Sequence, residues 1–281
     1  MKRCFGAALA LLALAGCAAG PSIVTSRQDG TEERIPATLV KPDGPGPFPA
    51  VVMLHDCSGL GHTSSGAPAR WAGELVSRGY VVLIPDSFTS RGYPGGICSE
   101  PSPTNPGVFT VQRARDAHAA LAHLRTLAFV DSARIGVMGG SHGGSTVLIA
   151  NLREGFSAAV ALYPRCAFRM GEWRADLTGV YKPASPLLIL IGGADDWTPA
   201  EPCRRLADAS QKAGYPVAIK IYPGVHHSFD SSNPPRYVAT RANINSPTGR
   251  GATTGGDPEA WADSIREVVA FFGWNLSHGK P

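Results

Sequence analysis

The chain has 281 residues, 43% of them hydrophobic and 17% charged, with 33 glycines and 24 prolines. That length suits one large α/β domain or two small ones and can bury roughly 70–75% of the unfolded surface, while the composition excludes a disordered or fibrous protein. The formal charge is +4; without Lys2 and Arg3, which lie in the targeting segment described next, 24 basic side chains face 22 acidic ones, a net +2. A balance so near zero gives no electrostatic reason to expect nucleic acid.

The N-terminus opens Met-Lys-Arg, continues through an apolar stretch over residues 5–15 and ends in Gly16-Cys17. A basic start, an apolar run too short to span a bilayer and a small-residue exit are the parts of a signal peptide. Leu14-Ala15-Gly16-Cys17 resembles the lipobox of bacterial lipoproteins, in which the cysteine is lipidated and becomes the new N-terminus; Ala13-Leu14-Ala15 also fits an ordinary A-x-A cleavage site. Both routes export the protein, to the outer side of a bacterial membrane or beyond it. Residues 1–16 are therefore read as signal peptide, 17–30 as linker and 31–281 as a single domain. With Cys4 removed and Cys17 lipidated, Cys57, Cys98, Cys166 and Cys203 remain, and an even number in an oxidising compartment favours two disulfides over buried free thiols.

Residues 31–40 mix β-branched and polar side chains and predict an edge strand. Continuous apolar runs follow at 50–54, 81–84, 135–138, 158–162, 187–191 and 217–222, as for strands covered on both faces. Helical patterns lie between them at 69–78, 111–127, 145–153, 201–213 and 258–272. In the second, Val111, Ala114, Leu121, Leu124 and Ala128 share a face; in the last, Trp261, Ile265, Val268 and Phe272 do, behind Asp257 as N-cap and Pro258 at the first helical position. Strands alternating with helices mean a mostly parallel sheet with right-handed crossovers, an α/β fold. Residues 231–256, rich in Ser, Asn, Pro, Thr and Gly, show no periodicity and are expected to be a long excursion, either disordered or functional.

The run at 135–138 leads directly into Gly139-Gly140-Ser141-His142-Gly143 and then a helical pattern, the strand-turn-helix context of a nucleophile elbow. Ser141 in that place is a candidate nucleophile. A serine of ordinary acidity needs a base, and the base an orienting carboxylate. Asp195 or Asp196 follows the run at 187–191, with the other able to cap the next helix; His226 and His227 follow the run at 217–222. The order Ser, Asp, His is that of the α/β-hydrolases.

His55-Asp56-Cys57-Ser58-Gly59-Leu60, Pro85-Asp86-Ser87-Phe88, the elbow, Asp195-Asp196-Trp197-Thr198-Pro199 and His227-Ser228-Phe229 together resemble the dienelactone hydrolase family of the α/β-hydrolase fold, over nearly all of the chain after about residue 32. The resemblance implies Asp195 as the acid and His227 as the base. It departs at the nucleophile, where the eponymous enzymes carry cysteine and this chain carries Ser141. One oxyanion donor is expected at the N–H of His142, next after the nucleophile; the resemblance places the other at the N–H of Cys57. His55 and Asp56 are candidate substrate contacts or a loop-stabilising pair. Arg91 is a candidate for a substrate carboxylate or a solvated loop arginine. In the strand order that the resemblance implies, the strands before Cys57 and Cys98 are neighbours, as are those before Cys166 and Cys203, so Cys57–Cys98 and Cys166–Cys203 are the expected disulfides.

No zinc spacing and no glycine-rich phosphate loop is present, so neither metal nor cofactor is implied. The expectation is an exported serine hydrolase of small-molecule carboxylic esters, working through an acyl-enzyme and tethered to the membrane by its N-terminal lipid. The alternatives are a peptidase or amidase on the same fold and a catalytically silent binding lipoprotein.

Overall fold

A computed structural model of the chain describes residues 20–27, 29–100, 108–167 and 180–277. The signal segment, its cleavage site and Cys17 lie outside the described residues. The elements are β1 (Ser22–Ser26), β2 (Glu32–Val40), β3 (Phe48–Leu54), α1 (Ala67–Val76), β4 (Val81–Pro85), a single 3₁₀ turn (Thr89–Arg91), α2 (Thr110–Arg125), β5 (Val130–Gly140), α3 (His142–Ala150), β6 (Ala158–Leu162), β7 (Leu187–Gly192), α4 (Ala200–Lys212), β8 (Val217–Tyr222), β9 (Arg236–Ala242), β10 (Arg250–Thr254) and α5 (Pro258–Ser277).

Eight strands form one sheet in the order β1-β2-β4-β3-β5-β6-β7-β8. The strands from β3 to β8 are parallel, and β1 and β2 join antiparallel at one side. This is the α/β-hydrolase fold. β4, β6 and β7 are buried at every position, which is why each had to be an unbroken apolar run. Helices cover both faces: α1 meets α5 through Trp71 and Trp261, whose rings stand 4.6 Å apart, while α2 packs on α3. The chain leaves β3 toward β4 on one side and returns to β5 on the other, so a topological switch point opens at the carboxyl ends of β3 and β5.

The structure corrects several local expectations. Residues 22–26, read as linker, form β1, because Ile23 and Thr25 alternate inward while Ser22, Val24 and Ser26 face out. β2 is consequently not the edge; β1 covers it. The excursion at 231–256 contains the β9–β10 hairpin; β9 is mostly exposed and β10 buries only the adjacent pair Gly251 and Ala252, so neither strand gives a period of two. α2 buries Arg113, Ala114, Asp116, Ala117, Ala120, Leu121 and Leu124, leaving Val111 exposed. α3 begins at His142, directly off the strand, rather than at Ser145.

Other local readings agree. Asp257 Oδ1 accepts the N–H groups of Glu259 (3.1 Å) and Ala260 (2.9 Å), with Pro258 in the first turn of α5. Cys57 is bonded to Cys98 and Cys166 to Cys203, each pair spanning 4.9 Å between Cα atoms. Each bridge links segments that follow adjacent strands, the first joining two loops and the second joining the segment after β6 to α4.

Candidate active site

β5 ends at Gly140 and α3 starts at His142, so one residue makes the turn between them. Ser141 does so with φ of 55°, a backbone conformation that a non-glycine residue holds only under constraint from its surroundings. The constraint comes from close packing. A Cβ on Gly143 would run into the carbonyl oxygen of Leu54 and stand 2.7 Å from that of His55, and one on Gly139 would stand 2.7 Å from the backbone of Gly143. Only glycines on both sides let the end of β3 and the first turn of α3 approach closely enough to force the serine outward.

His227, in the loop after β8, reaches this serine: its Nε2 lies 2.9 Å from Ser141 Oγ. Its Nδ1 lies 2.7 Å from Asp195 Oδ2, with both side chains fully buried. The loop after β7 fixes Asp195. Its Oδ1 accepts the N–H groups of Trp197 (2.9 Å) and Thr198 (2.8 Å), and the Thr198 hydroxyl donates to Oδ2 at 2.9 Å. The imidazole is clamped between Tyr163 and Trp197, each ring 4.8 Å from it. The neighbours of these residues turn elsewhere. His226 Nδ1 bonds the carbonyl of Ala194 at 3.0 Å, and Asp196 caps no helix but holds Thr253 of β10.

Cys57 and His142 lie on facing segments, the loop after β3 and the head of α3. Fully buried His55 donates from Nδ1 to the carbonyl of Asp56 (2.8 Å), and its Nε2 accepts the N–H of Ser87 (3.2 Å). That pattern requires the neutral ring, and burial, reinforced by the Arg113 charge, holds its pKa well below the ordinary value. Asp56 accepts the N–H and hydroxyl of Ser58 on Oδ1 and the Ser65 hydroxyl on Oδ2. Both residues thus organise the loop around Cys57, Asp56 from within it and His55 by also bonding Ser87 in the loop after β4.

Arg91 is not a solvated loop arginine. Its guanidinium is paired with Glu33 on β2 and Asp116 on α2, both at 2.6 Å, and also donates to the carbonyl of Ser87. Its carboxylate partners stand far away in sequence, so the tripeptide around it carried no hint of them.

Sequence reasoning overlooked Thr198, Tyr163, Trp197 and Arg113. Thr198 was legible in Asp-x-x-Thr, where a hydroxyl three residues on can return to the carboxylate. Arg113 sits at an inward position of α2, four residues before Ala117, and charges within such a stripe, here Arg113 and Asp116, are the signal of buried ions. Among the described residues there is no group of three or more His, Cys, Asp or Glu side chains able to hold a metal ion.

A strained serine, a buried imidazole and a buried carboxylate in hydrogen-bond sequence at a switch point can transfer a proton from hydroxyl to ring as the oxygen attacks an electrophile. Comparisons with known proteins give the family. A candidate carboxymethylenebutenolidase of Methylorubrum extorquens (strain AM1) is 29% identical over 223 residues, 76% of this chain and 74% of that protein. A candidate dienelactone hydrolase from Klebsiella pneumoniae superposes with a TM-score of 0.66 at 20% identity, covering 90% of this chain and 97% of that one. Thermogutta terrifontis esterase 2 superposes at 0.59 and 20% identity, covering 94% and 97%. At those identities the two structures show the fold alone. The family model for dienelactone hydrolases matches residues 35–274, and the chain belongs to that family of hydrolases.

Proposed function

We propose that the protein is an exported serine hydrolase that cleaves carboxylic esters of small molecules through an acyl-enzyme. Ser141 Oγ attacks the ester carbonyl while His227 Nε2 takes its proton; Asp195 holds the ring in the correct tautomer and stabilises the imidazolium. His227 then returns the proton to the departing alkoxide, and water repeats the sequence on the acyl-enzyme. The amides of Cys57 and His142 receive the oxyanion, each contributing on the order of 10²-fold or more to the rate. The observation that supports this reading most is the unbroken hydrogen-bond chain from Ser141 through His227 to Asp195.

A fluorophosphonate should label the purified wild type stoichiometrically and leave Ser141→Ala unmodified, with loss of ester turnover in that variant. An inert wild type, or a labelled Ser141→Ala, would refute the assignment. Esters that vary in acyl length and charge, compared with matched amides, then define the leaving group and pocket.

Export rests on the N-terminal pattern, and the two disulfides are consistent with an extracellular location. Among the described residues no helix is long and apolar enough to cross a membrane. The lipid on Cys17 would thus be the tether, and Cys17→Ser should move the protein from the membrane fraction to the soluble one. An unmodified N-terminus at Gly16 in mass spectra would instead favour the A-x-A site.

A further inference from the structure

The least expected side chain near the site is Arg113, an arginine with no solvent exposure at the start of the helix stripe that α2 buries. One end of its fork donates to the carbonyl oxygen of His55 at 2.6 Å. The other meets Nδ1 of His142 at 2.7 Å. Its plane lies over the Phe88 ring, 4.8 Å from the centroid, and the same ring packs edge-on against both His55 (4.5 Å) and His142 (6.0 Å). Arg113 therefore bonds to both segments that carry the candidate oxyanion amides.

We propose that Arg113 is a positioning residue that sets the spacing of the Cys57 and His142 amides and places a fixed positive charge behind them; the inference rests on the acyl-transfer reading above. The mechanical path is short. Holding the His55 carbonyl fixes the peptide before Asp56, and the His55 ring in turn binds the Asp56 carbonyl, which belongs to the same peptide plane as the Cys57 N–H. On the other side Arg113 grips the side chain of the very residue whose amide heads α3.

A single fork reaching both arms makes their separation a property of one rigid, planar group. A lysine offers a point charge and cannot reproduce the two directions. Hydrogen bonding alone does not explain why the arginine is here, since its Nε is buried without a partner. Asp116, Asp56 and Asp86 surround it and favour its charged form. Burial lowers its pKa to about 10, so it remains a cation at neutral pH. A cation at the rear of two amides strengthens their attraction for an oxyanion in a site with little water to screen it.

The test uses the full-length protein as wild type, Arg113→Met and Arg113→Lys. Turnover of p-nitrophenyl acetate is normalised to sites titrated to completion by a fluorophosphonate, and inhibition by an aryl trifluoromethyl ketone is measured in parallel. In that adduct Ser141 Oγ bonds to the carbonyl carbon, the C=O π pair moves to oxygen and the serine proton passes to His227, so affinity reads the oxyanion site.

Arg113→Met is expected to lose about 10²-fold in kcat per titrated site with KM within about 2-fold, since misplacement by about 1 Å carries penalties of that order. The inhibition constant should rise in step. Arg113→Lys is expected to lose about 10-fold, and it decides the question on the same readouts if the methionine variant does not fold. Fewer titratable sites and a lower Tm, with kcat per site and ketone affinity at wild-type values, would mean that Arg113 only supports the fold and would overturn the inference. Ester turnover that survives in Ser141→Ala would instead refute the acyl-transfer reading itself.

Discussion

Asp196 accepts the backbone N–H of Thr253 on one carboxylate oxygen at 2.8 Å and the Thr253 hydroxyl on the other at 3.0 Å. The carboxylate beside Asp195 therefore ties the β9–β10 hairpin to the loop that carries the candidate acid. Trp197 Nε1 donates to the Ala242 carbonyl, and Asn243 donates to the Asp196 carbonyl, adding two more ties between that loop and the hairpin. Two adjacent acids thus hold different partners: Asp195 the imidazole, Asp196 the hairpin.

Asp195→Ala should reduce kcat by about 10³-fold or more, because the imidazole loses both its orientation and the charge that stabilises it. Asp196→Ala should leave kcat per titrated site within about 3-fold and shift KM instead, as the hairpin loosens. Steady-state kinetics on both variants checks this. A loss in Asp196→Ala as deep as in Asp195→Ala would mean that either carboxylate serves the histidine.

The adjacent histidines divide in the same way. His227 bonds Ser141 Oγ, whereas His226 turns back to the Ala194 carbonyl. His227→Ala should cost roughly 10³-fold or more in kcat and His226→Ala under about 10-fold. Comparable deficits in the two single variants would contradict the geometry.

What was legible in the sequence follows from how each feature is enforced. The apolar runs of β4, β6 and β7 could be read because a strand covered on both faces admits no polar interruption. The candidate serine, acid and base could be ordered because each follows a strand at the carboxyl edge. β1, β9 and β10 were illegible for the opposite reason: short, half-exposed strands have partners that composition does not constrain. The choice between Asp195 and Asp196, and between His226 and His227, was carried by family resemblance, since neighbours in a loop have identical local chemistry. The partnership of Arg91 with Glu33 and Asp116 is a tertiary event between segments that show no pattern in common.

A third prediction concerns pH and stability. Burial, with the Arg113 charge adding to it, pushes the pKa values of His55 and His142 well below the ordinary value of 6.5. His142 is further committed to the neutral ring, since its Nδ1 accepts from Arg113 while the ring also makes a backbone hydrogen bond with Val108. The unfolded chain takes up these protons near pH 6.5 and the folded chain does so only at much lower pH. Unfolded protein therefore binds more protons in that window, and stability falls as pH drops from about 7 toward 5, by up to about 1.4 kcal/mol per pH unit for each ring. Denaturant titrations at several pH values should show this slope, and His55→Gln or His142→Gln should flatten it even if each variant starts less stable. A slope unchanged in both variants would assign the acid lability to other groups.

The last prediction separates the two disulfides. Cys57–Cys98 joins the loop after β3 to the loop after β4, 41 residues apart in sequence, and the Cys57 carbonyl accepts the Ile97 N–H at 2.7 Å, so the bridge and this bond hold the same short stretch. Cys57 is also the residue whose amide is proposed to face the oxyanion. Cys166–Cys203 joins the segment after β6 to α4, 37 residues apart, and its sulfur atoms lie near the Pro164 carbonyl, away from that amide. By loop-closure entropy the two bridges constrain the unfolded chain almost equally, about 3–4 kcal/mol each. Removing either pair as a double Cys→Ala variant should therefore lower Tm by similar amounts, but only Cys57→Ala with Cys98→Ala should also lower kcat per titrated site, by roughly 10-fold, because only that pair steadies the oxyanion loop. Thermal melts and site-normalised kinetics on the two double variants distinguish the effects. No loss of kcat in the Cys57–Cys98 variant would show that the loop is held by Asp56, Ser58 and Ser65 without help from the disulfide, and equal loss in both would show that the effect is not specific to the oxyanion loop.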